Sequence, residues 1–179
     1  NMDKIELIAP CHFGLESVLK REIQDLGYEI VQVEDGRITF RGDVEALARA
    51  NVFIRTAERI MVKVGGFPAK TFDELFEATK ALHWEDYLPK DAKFWVSKAS
   101  TKNSALFSAS DIQSIVKKAI VERLKTVYHV NWFDEDGAEY PIRVFINKDM
   151  VSIALDASGI SRHKRGYRQL VGKAPISET

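Results

Sequence analysis

Asp35-Gly36 stands between two runs in which apolar and polar residues alternate, EIVQV (29–33) and GRITFRG (36–42). Alternation of period two marks a half-buried strand, and Asp-Gly between two such runs marks a tight hairpin, because glycine takes positive φ at no steric cost. A hairpin at this place leaves few options for its neighbours. KIELIA (4–9) puts Ile5, Leu7 and Ala9 on one face and reads as a strand. Residues 14–26 carry Leu15, Val18, Leu19, Ile23 and Leu26 on one helical stripe that Gly27 ends. Asp43 caps a second helix from 44 to about 54, with Val44, Leu47 and Ala48 as its buried positions. RIMVKVGG (59–66) supplies a further strand. The order β-α-β-β-α-β is that of the split βαβ, ferredoxin-like unit. A unit of this size builds a small core and gains from a neighbour to pack against.

Gly65, Gly66 and Pro68 then punctuate the chain, and the pattern restarts. Thr71 with Glu74 forms a capping box for a helix running through Leu75, Phe76, Ala78 and Ala81 or Leu82. A turn containing His83-Trp84 leads to Pro89, and KFWVSKAS (93–100) alternates as a strand. The longest helix covers roughly 110–127, capped by Ser108 with Asp111 or by Ser110 with Gln113. Its core face is Ile112, Ile115, Val116, Ala119, Ile120, Leu124 and Val127, at i, i+3, i+4 spacing. YPIRVFINKD (140–149) and MVSIALDAS (150–158) read as a hairpin turning near Asn147-Lys148-Asp149. The fold class is therefore α+β in two lobes, with a boundary near residues 65–70.

Composition narrows the function classes. The chain has 179 residues, 45% of them hydrophobic and 29% charged, which suits packed cores rather than disorder. No apolar run approaches the roughly 20 residues that cross a bilayer. The start has no secretory signal, and the one cysteine, Cys11, allows no internal disulfide, so a cytoplasmic protein is expected. Cys11-His12 cannot pair as nucleophile and base, because adjacent residues on an extended segment point to opposite faces. Cys11 reads instead as a small residue closing the first strand. His12, His83, His129 and His163 show no metal-ligand spacing, and no GxxxxGK[ST] or GxGxxG follows a strand. Acidic pairs such as Glu85-Asp86 sit in polar turns. Neither a catalytic nor a metal site is expected.

Two binding features remain. The segment SKASTKNSALFSAS (97–110) offers Lys98 and Lys102 as charges, and Ser97, Ser100, Thr101, Asn103 and Ser104 as neutral hydrogen-bonding groups, just before a helix start. It reads either as a phosphate-holding element or as an ordinary capped loop. Lys117, Lys118, Arg123 and Lys125 follow as a plain charged helix face. The second feature is SRHKRGYRQLVGK (161–173), where five of the chain's 26 basic residues gather without an acid, leaving the remainder with 21 against 26 acids. Arg162, Lys164, Arg165 and Arg168 offer phosphate contacts, and Tyr167 a stacking ring. This stretch equally suits a solvated linker or a partner for acids of the same chain.

GLESVLKREIQDLG, GRITFRGD, RTAERIMVKVG, SIALDASG, HKRGYR and APISET occur here in that order. In order and spacing they resemble the N-terminal half of the bacterial THUMP-domain RNA methyltransferases. The resemblance is strongest to the 23S rRNA guanine-N2-methyltransferases and their relatives described as N6-adenine-specific DNA methylases. It implies a ferredoxin-like domain over 1–66, a THUMP RNA-binding domain over 67–160, and a basic linker over 161–179. It further implies RNA, rRNA in particular, as partner, and a methyltransferase domain of the same polypeptide that uses S-adenosylmethionine. The Gly-rich cofactor loop and Asn-Pro-Pro-Tyr motif of that domain do not occur before Thr179, so the chain is expected to be a fragment that binds RNA without methylating it. On this resemblance Lys98, Ser100, Lys102, Asn103, Ser104, Arg162, Lys164, Arg165, Tyr167 and Arg168 are the expected RNA contacts. A THUMP module of a tRNA-modifying enzyme, such as a thiouridine-forming one, and a stand-alone RNA-binding or domain-docking module are the alternatives.

Overall fold

The computed structural model describes residues 4–156. At the Asp35-Gly36 turn only Gly36 takes positive φ, at 82°. Two bonds tie this turn to the start of the chain, and a third holds the Glu16 carboxylate in place. The Cys11 N–H donates to the Gly36 carbonyl at 2.9 Å. The Glu16 carboxylate accepts the N–H of Gly36 at 2.7 Å and that of Gly14 at 2.9 Å. These bonds, the one from Gly36 first, hold the Glu16 carboxyl below the ordinary glutamate range.

The hairpin strands are β2 (Glu29–Glu34) and β3 (Arg37–Gly42), and β1 (Ile5–Pro10) lies antiparallel on the other side of β3. Leu7 is opposite Phe40 and Ala9 opposite Ile38, so one face of the ladder is wholly apolar and buried. Antiparallel β4 (Met61–Pro68) completes the order β2-β3-β1-β4. Helix α1 spans Glu16–Asp25 and α2 spans Ala46–Phe53. A Cβ on Gly42 would stand 2.5 Å from the Ala46 Cβ, so α2 begins in direct contact with the end of β3.

That contact decides which side of α2 is buried. Ala46, Leu47 and Ala50 are inside, whereas Ala48 is exposed and Val44 only half-buried, contrary to the sequence expectation. The Asp43 carboxylate accepts the N–H groups of Glu45 and Ala46 across a turn at 44–45, but the helix itself begins only at Ala46, behind a Glu45 whose side chain makes no cap, two residues later than the pattern suggests. In α1 the buried line is narrower than the apolar stripe. Leu19 and Ile23 are buried, while Leu15 and Val18 remain 40% and 51% exposed. A ten-residue helix lying on β2 and β3 buries one narrow line, not a stripe the width of its apolar residues.

The chain divides into two compact units, with boundaries between Lys63 and Val64, inside β4, and between Leu155 and Asp156. In the second unit Thr71 and Glu74 form the expected capping box of α3 (Phe72–Ala81). One 3-10 turn (Trp84–Asp86) follows, and the buried Trp84 indole donates to the Thr79 carbonyl at 2.8 Å. Strand β5 (Lys93–Lys102) pairs in parallel with β6 (Glu139–Asn147), which pairs antiparallel with β7 (Met150–Asp156). Lys148 and Asp149 turn the β6–β7 hairpin with φ of 52° and 65°, the two left-handed residues that a type I′ turn requires. Helix α4 (Ala109–Tyr128) packs on α3 and β5. It buries Ile112, Val116, Ala119, Ile120 and Leu124; Ile115 and Val127 are half-buried. No helix among the described residues is long and apolar enough to cross a membrane.

Candidate nucleic-acid interface

The polar segment that begins at Ser97 is not a loop at its start. Strand β5 continues to Lys102, and a bulge between Val96 and Lys98 lets it do so. The Ser97 hydroxyl donates to the Ile142 carbonyl of β6 at 3.2 Å, fixing the extra residue against its neighbour. An extra residue rephases every side chain beyond it. Phe94 and Val96 before the bulge, and Ala99 and Thr101 after it, stand opposite Tyr140, Ile142, Val144 and Ile146, all buried. The other face receives Trp95, Lys98, Ser100 and Lys102, opposite Pro141, Arg143, Phe145 and Asn147.

Three cations thus share two adjacent strands on one face. Lys98 stands directly opposite Arg143, and Lys102 lies two same-face positions further along β5, about 13 Å away at strand rise. Both lysines are exposed, and Ser100 between them is half-buried. The Arg143 guanidinium is held 4.7 Å above the centre of the buried Phe145 ring. A cation resting on a ring in this way is partly ordered before any ligand arrives.

The end of β5 is locked. Asn103 adopts φ of 49°, a left-handed conformation that asparagine tolerates better than most residues. The Ser104 hydroxyl donates to the Lys102 carbonyl at 2.8 Å and accepts the Asp149 N–H at 3.0 Å. The Asp149 carboxylate accepts the Ala105 N–H at 2.8 Å, and the Lys148 N–H donates to the Lys102 carbonyl at 3.0 Å. Asn103 and Ser104 therefore set the path of the chain beyond Lys102. Ser108 caps α4, accepting the Asp111 N–H; Gln113 is employed elsewhere.

Gln113 and Lys117 reach from α4 to the outer edge of β5. The Gln113 amide donates to the Val96 carbonyl at 2.9 Å, and the Lys117 amine to the Phe94 carbonyl. The Lys117 amine also lies 3.8 Å from the centre of the Phe94 ring, and burial lowers its pKa from the ordinary lysine value. Arg123 grips Glu85 with two hydrogen bonds of 3.0 and 2.8 Å. These bonds hold the Glu85 carboxyl below its usual range. Expected to be a plain charged face, α4 instead uses Lys117 and Arg123 to hold its own unit together.

Cys11 is buried just after β1, and its thiol is pushed up, first by burial and then by Glu16 and Glu58. It is a protonated packing residue. Arg162, Lys164, Arg165, Tyr167 and Arg168 lie outside the described residues. Two residues of the β5 face escaped the sequence reading, Trp95 and Arg143. For Trp95 a signal existed, since Phe94 and Val96 on the inner face leave position 95 on the outer one. For Arg143 none did, because only the register across the bulge brings it to Lys98.

Residues 6–61 match the family described as the RlmL ferredoxin-like domain, and residues 69–156 match the THUMP domain. Over 180 residues the chain is 50% identical to the Bacillus subtilis (strain 168) protein named "Putative RNA methyltransferase YpsC", covering 99% of this chain and 46% of the relative. Among solved structures it is similar to "a possible methylase from Clostridium difficile 630", with 50% identity and a TM-score of 0.82 over 92% of this chain and 44% of that one. SMU.472, solved complexed with SAH, shares 39% identity with a TM-score of 0.78 over 86% and 41% of the two chains. The chain thus spans less than half the length of these relatives.

Proposed function

The chain belongs to the family that joins an RlmL ferredoxin-like domain to a THUMP domain, and from that premise we propose that it is the RNA-gripping part of an S-adenosylmethionine-dependent RNA methyltransferase. The THUMP lobe, placed at 67–160 after a ferredoxin-like lobe at 1–66, holds structured RNA through the β5 face. Lys98, Lys102 and Arg143 meet phosphates, and Ser100 adds a hydroxyl. Asn103 and Ser104 shape the turn beside them. The basic segment 161–179, with Arg162, Lys164, Arg165, Tyr167 and Arg168, extends the grip towards the methyltransferase domain of the same polypeptide. rRNA is the substrate and guanine N2 the methylated atom, a reading that rests on the family resemblance. S-adenosylmethionine belongs to that further domain. Among the described residues, the glycine-bearing strand-to-helix junctions are occupied: the Gly14 N–H donates to the Glu16 carboxylate, and after Gly42 the N–H groups of Glu45 and Ala46 donate to Asp43, so these residues do not fit an anionic cofactor group.

The observation that carries the reading is Lys98 standing opposite Arg143. Like charges on directly paired positions destabilise a sheet, and a phosphate bound beside both would offset that cost. Phosphate contacts supply most of the affinity in such complexes and make it depend on salt. Filter binding to a structured rRNA fragment across a salt series tests it. With about three to five phosphates neutralised, log affinity falls with log salt with a slope of a few units. Affinity that does not change with salt, or no binding at low salt, overturns the proposal.

A further inference from the structure

We infer that Trp95 is a stacking platform for an unpaired base, so the β5 face takes single-stranded RNA in preference to duplex. The inference rests on the reading that this face binds RNA, and it names the form of RNA bound.

Trp95 is 37% exposed on the face that carries Lys98, Ser100, Lys102 and Arg143, with only Pro141 directly opposite on β6. Most of the indole is covered by its neighbours, and the part that remains open faces the same side as the cations. With cations next along the same face, it has the composition of a single-strand site: a π surface for the base and positive charge for the adjoining phosphate. Trp95 and Lys98 are three positions apart along a bulged strand, about 10 Å at most, within reach of one nucleotide and its neighbour.

The other exposed rings are placed differently. Trp132, 77% exposed, donates its indole N–H to Asp134 at 3.3 Å in a stretch that continues with Glu135 and Asp136, whose charge repels phosphate. Phe107, 79% exposed, lies between the turn after β5 and the cap of α4, off the strand that carries the lysines. Phe13 lies in the turn after β1, Phe53 ends α2 and Phe72 begins α3, so among the exposed rings of the described residues Trp95 alone shares a strand face with the cations. Duplex RNA keeps its bases stacked on one another and offers a ring nothing to cover, whereas an unpaired base offers its whole face. Stacking on indole also tolerates any base, so selectivity here is for strandedness and not for sequence.

The experiment compares one labelled oligoribonucleotide, single-stranded and annealed to its complement, on the full 179-residue chain. Wild type binds the single strand more tightly. Trp95→Ala and Trp95→Leu weaken single-strand binding about tenfold or more, the loss of one stacked base, and leave duplex binding and the salt slope unchanged. Trp95→Phe retains most of the affinity. In a Trp132→Phe background, single-stranded RNA quenches the emission of Trp95, since Trp84 is buried. Trp95→Leu keeps an apolar side chain at the position, so it separates lost stacking from lost packing. Equal affinity for the two forms in wild type, or wild-type affinity in Trp95→Leu, overturns the inference while leaving the grip on RNA intact. Absence of binding to either form at low salt overturns the function proposed above.

Discussion

Two ladders of this protein treat charge in opposite ways. Across β1 and β3 the register sets Glu6 opposite Arg41, and the pair closes at 3.1 Å. Lys63 approaches the same carboxylate at 3.4 Å, and Arg37 pairs with Glu34 at 3.0 Å with both side chains nearly buried. Across β5 and β6 the register sets Lys98 opposite Arg143. The first ladder uses its charges on itself, and opposite signs on paired positions contribute roughly 0.2–1 kcal/mol each. The second gives up that contribution and presents a cationic face. A neutral chain therefore needs no basic excess to grip a polyanion. It needs a register that brings some of its cations to one strand face, as Lys98 beside Arg143, while others such as Arg41 and Arg123 are held by acids.

The largest effect expected from breaking this contrast is on binding. Replacing both Lys98 and Lys102 with glutamate puts two acids where two phosphate contacts stood. Affinity for structured RNA should fall on the order of a hundredfold, since a hydrogen bond to a charged group contributes about 1.5–3 kcal/mol. The salt slope should shrink by about two. The matching reversal in the first unit, Arg41→Glu, should leave RNA affinity unchanged and lower thermal stability instead. Equal losses of affinity from the two reversals would dissolve the comparison.

A second break targets the scaffold. Gly42→Ala drives a Cβ into the Ala46 side chain at the start of α2, and neither β3 nor α2 can retreat cheaply. Overpacking of this kind costs about 1–3 kcal/mol, read as a lowered denaturation midpoint. RNA affinity at temperatures where the variant is folded should match wild type, because Gly42 belongs to the unit that does not carry the cationic face.

A smaller effect, with a pH signature, belongs to the second unit. The two hydrogen bonds from Arg123 hold the Glu85 carboxyl below its unfolded value of about 4.5. A depressed carboxyl contributes stability that is fully present above the unfolded value and is lost as pH falls through the folded one. Glu85→Gln should therefore destabilise by about 1 kcal/mol near neutral pH. The difference from wild type should shrink as pH falls below about 4.5 and vanish once the folded carboxyl itself is protonated, read in a denaturation series. A difference that persists in acid would assign the loss to packing instead of charge.

These contrasts show where the sequence was readable. The capping box at Thr71 and Glu74, the Asp35-Gly36 turn and the Lys148-Asp149 turn were legible because the residue types that set each conformation stand close to one another in the chain. The element order followed from period alone, and with it the two lobes. The bulge at Ser97 was not legible. Its residue type is ordinary, and its cause, the Ile142 carbonyl, is 45 positions away. With the bulge went the face: a strand read without it puts Lys98 on the same side as Phe94 and Val96. Gln113 and Lys117 were illegible for the same reason, since their acceptors are carbonyls of another element. Local chemistry can be read along the chain, but a surface assembled by register needs the partner strand.

The smallest effect is the most specific to that register. Lys98→Glu alone replaces a like pair with an opposite one across β5 and β6, leaving the bulge, the Ser104 turn and the α4 contacts as they are. Relief of repulsion and gain of a cross-strand ion pair should raise stability by about 0.5 kcal/mol at low salt, and less at high salt. The same substitution should weaken RNA binding. One change would then move stability and affinity in opposite directions, which no general loss of structure can do. Pairing with Arg143 is what creates the gain, so in an Arg143→Ala background Lys98→Glu should no longer stabilise, and a denaturant double-mutant cycle reads that coupling directly. A coupling of zero would mean that Lys98 and Arg143 do not sense one another and that the bulge does not set the face.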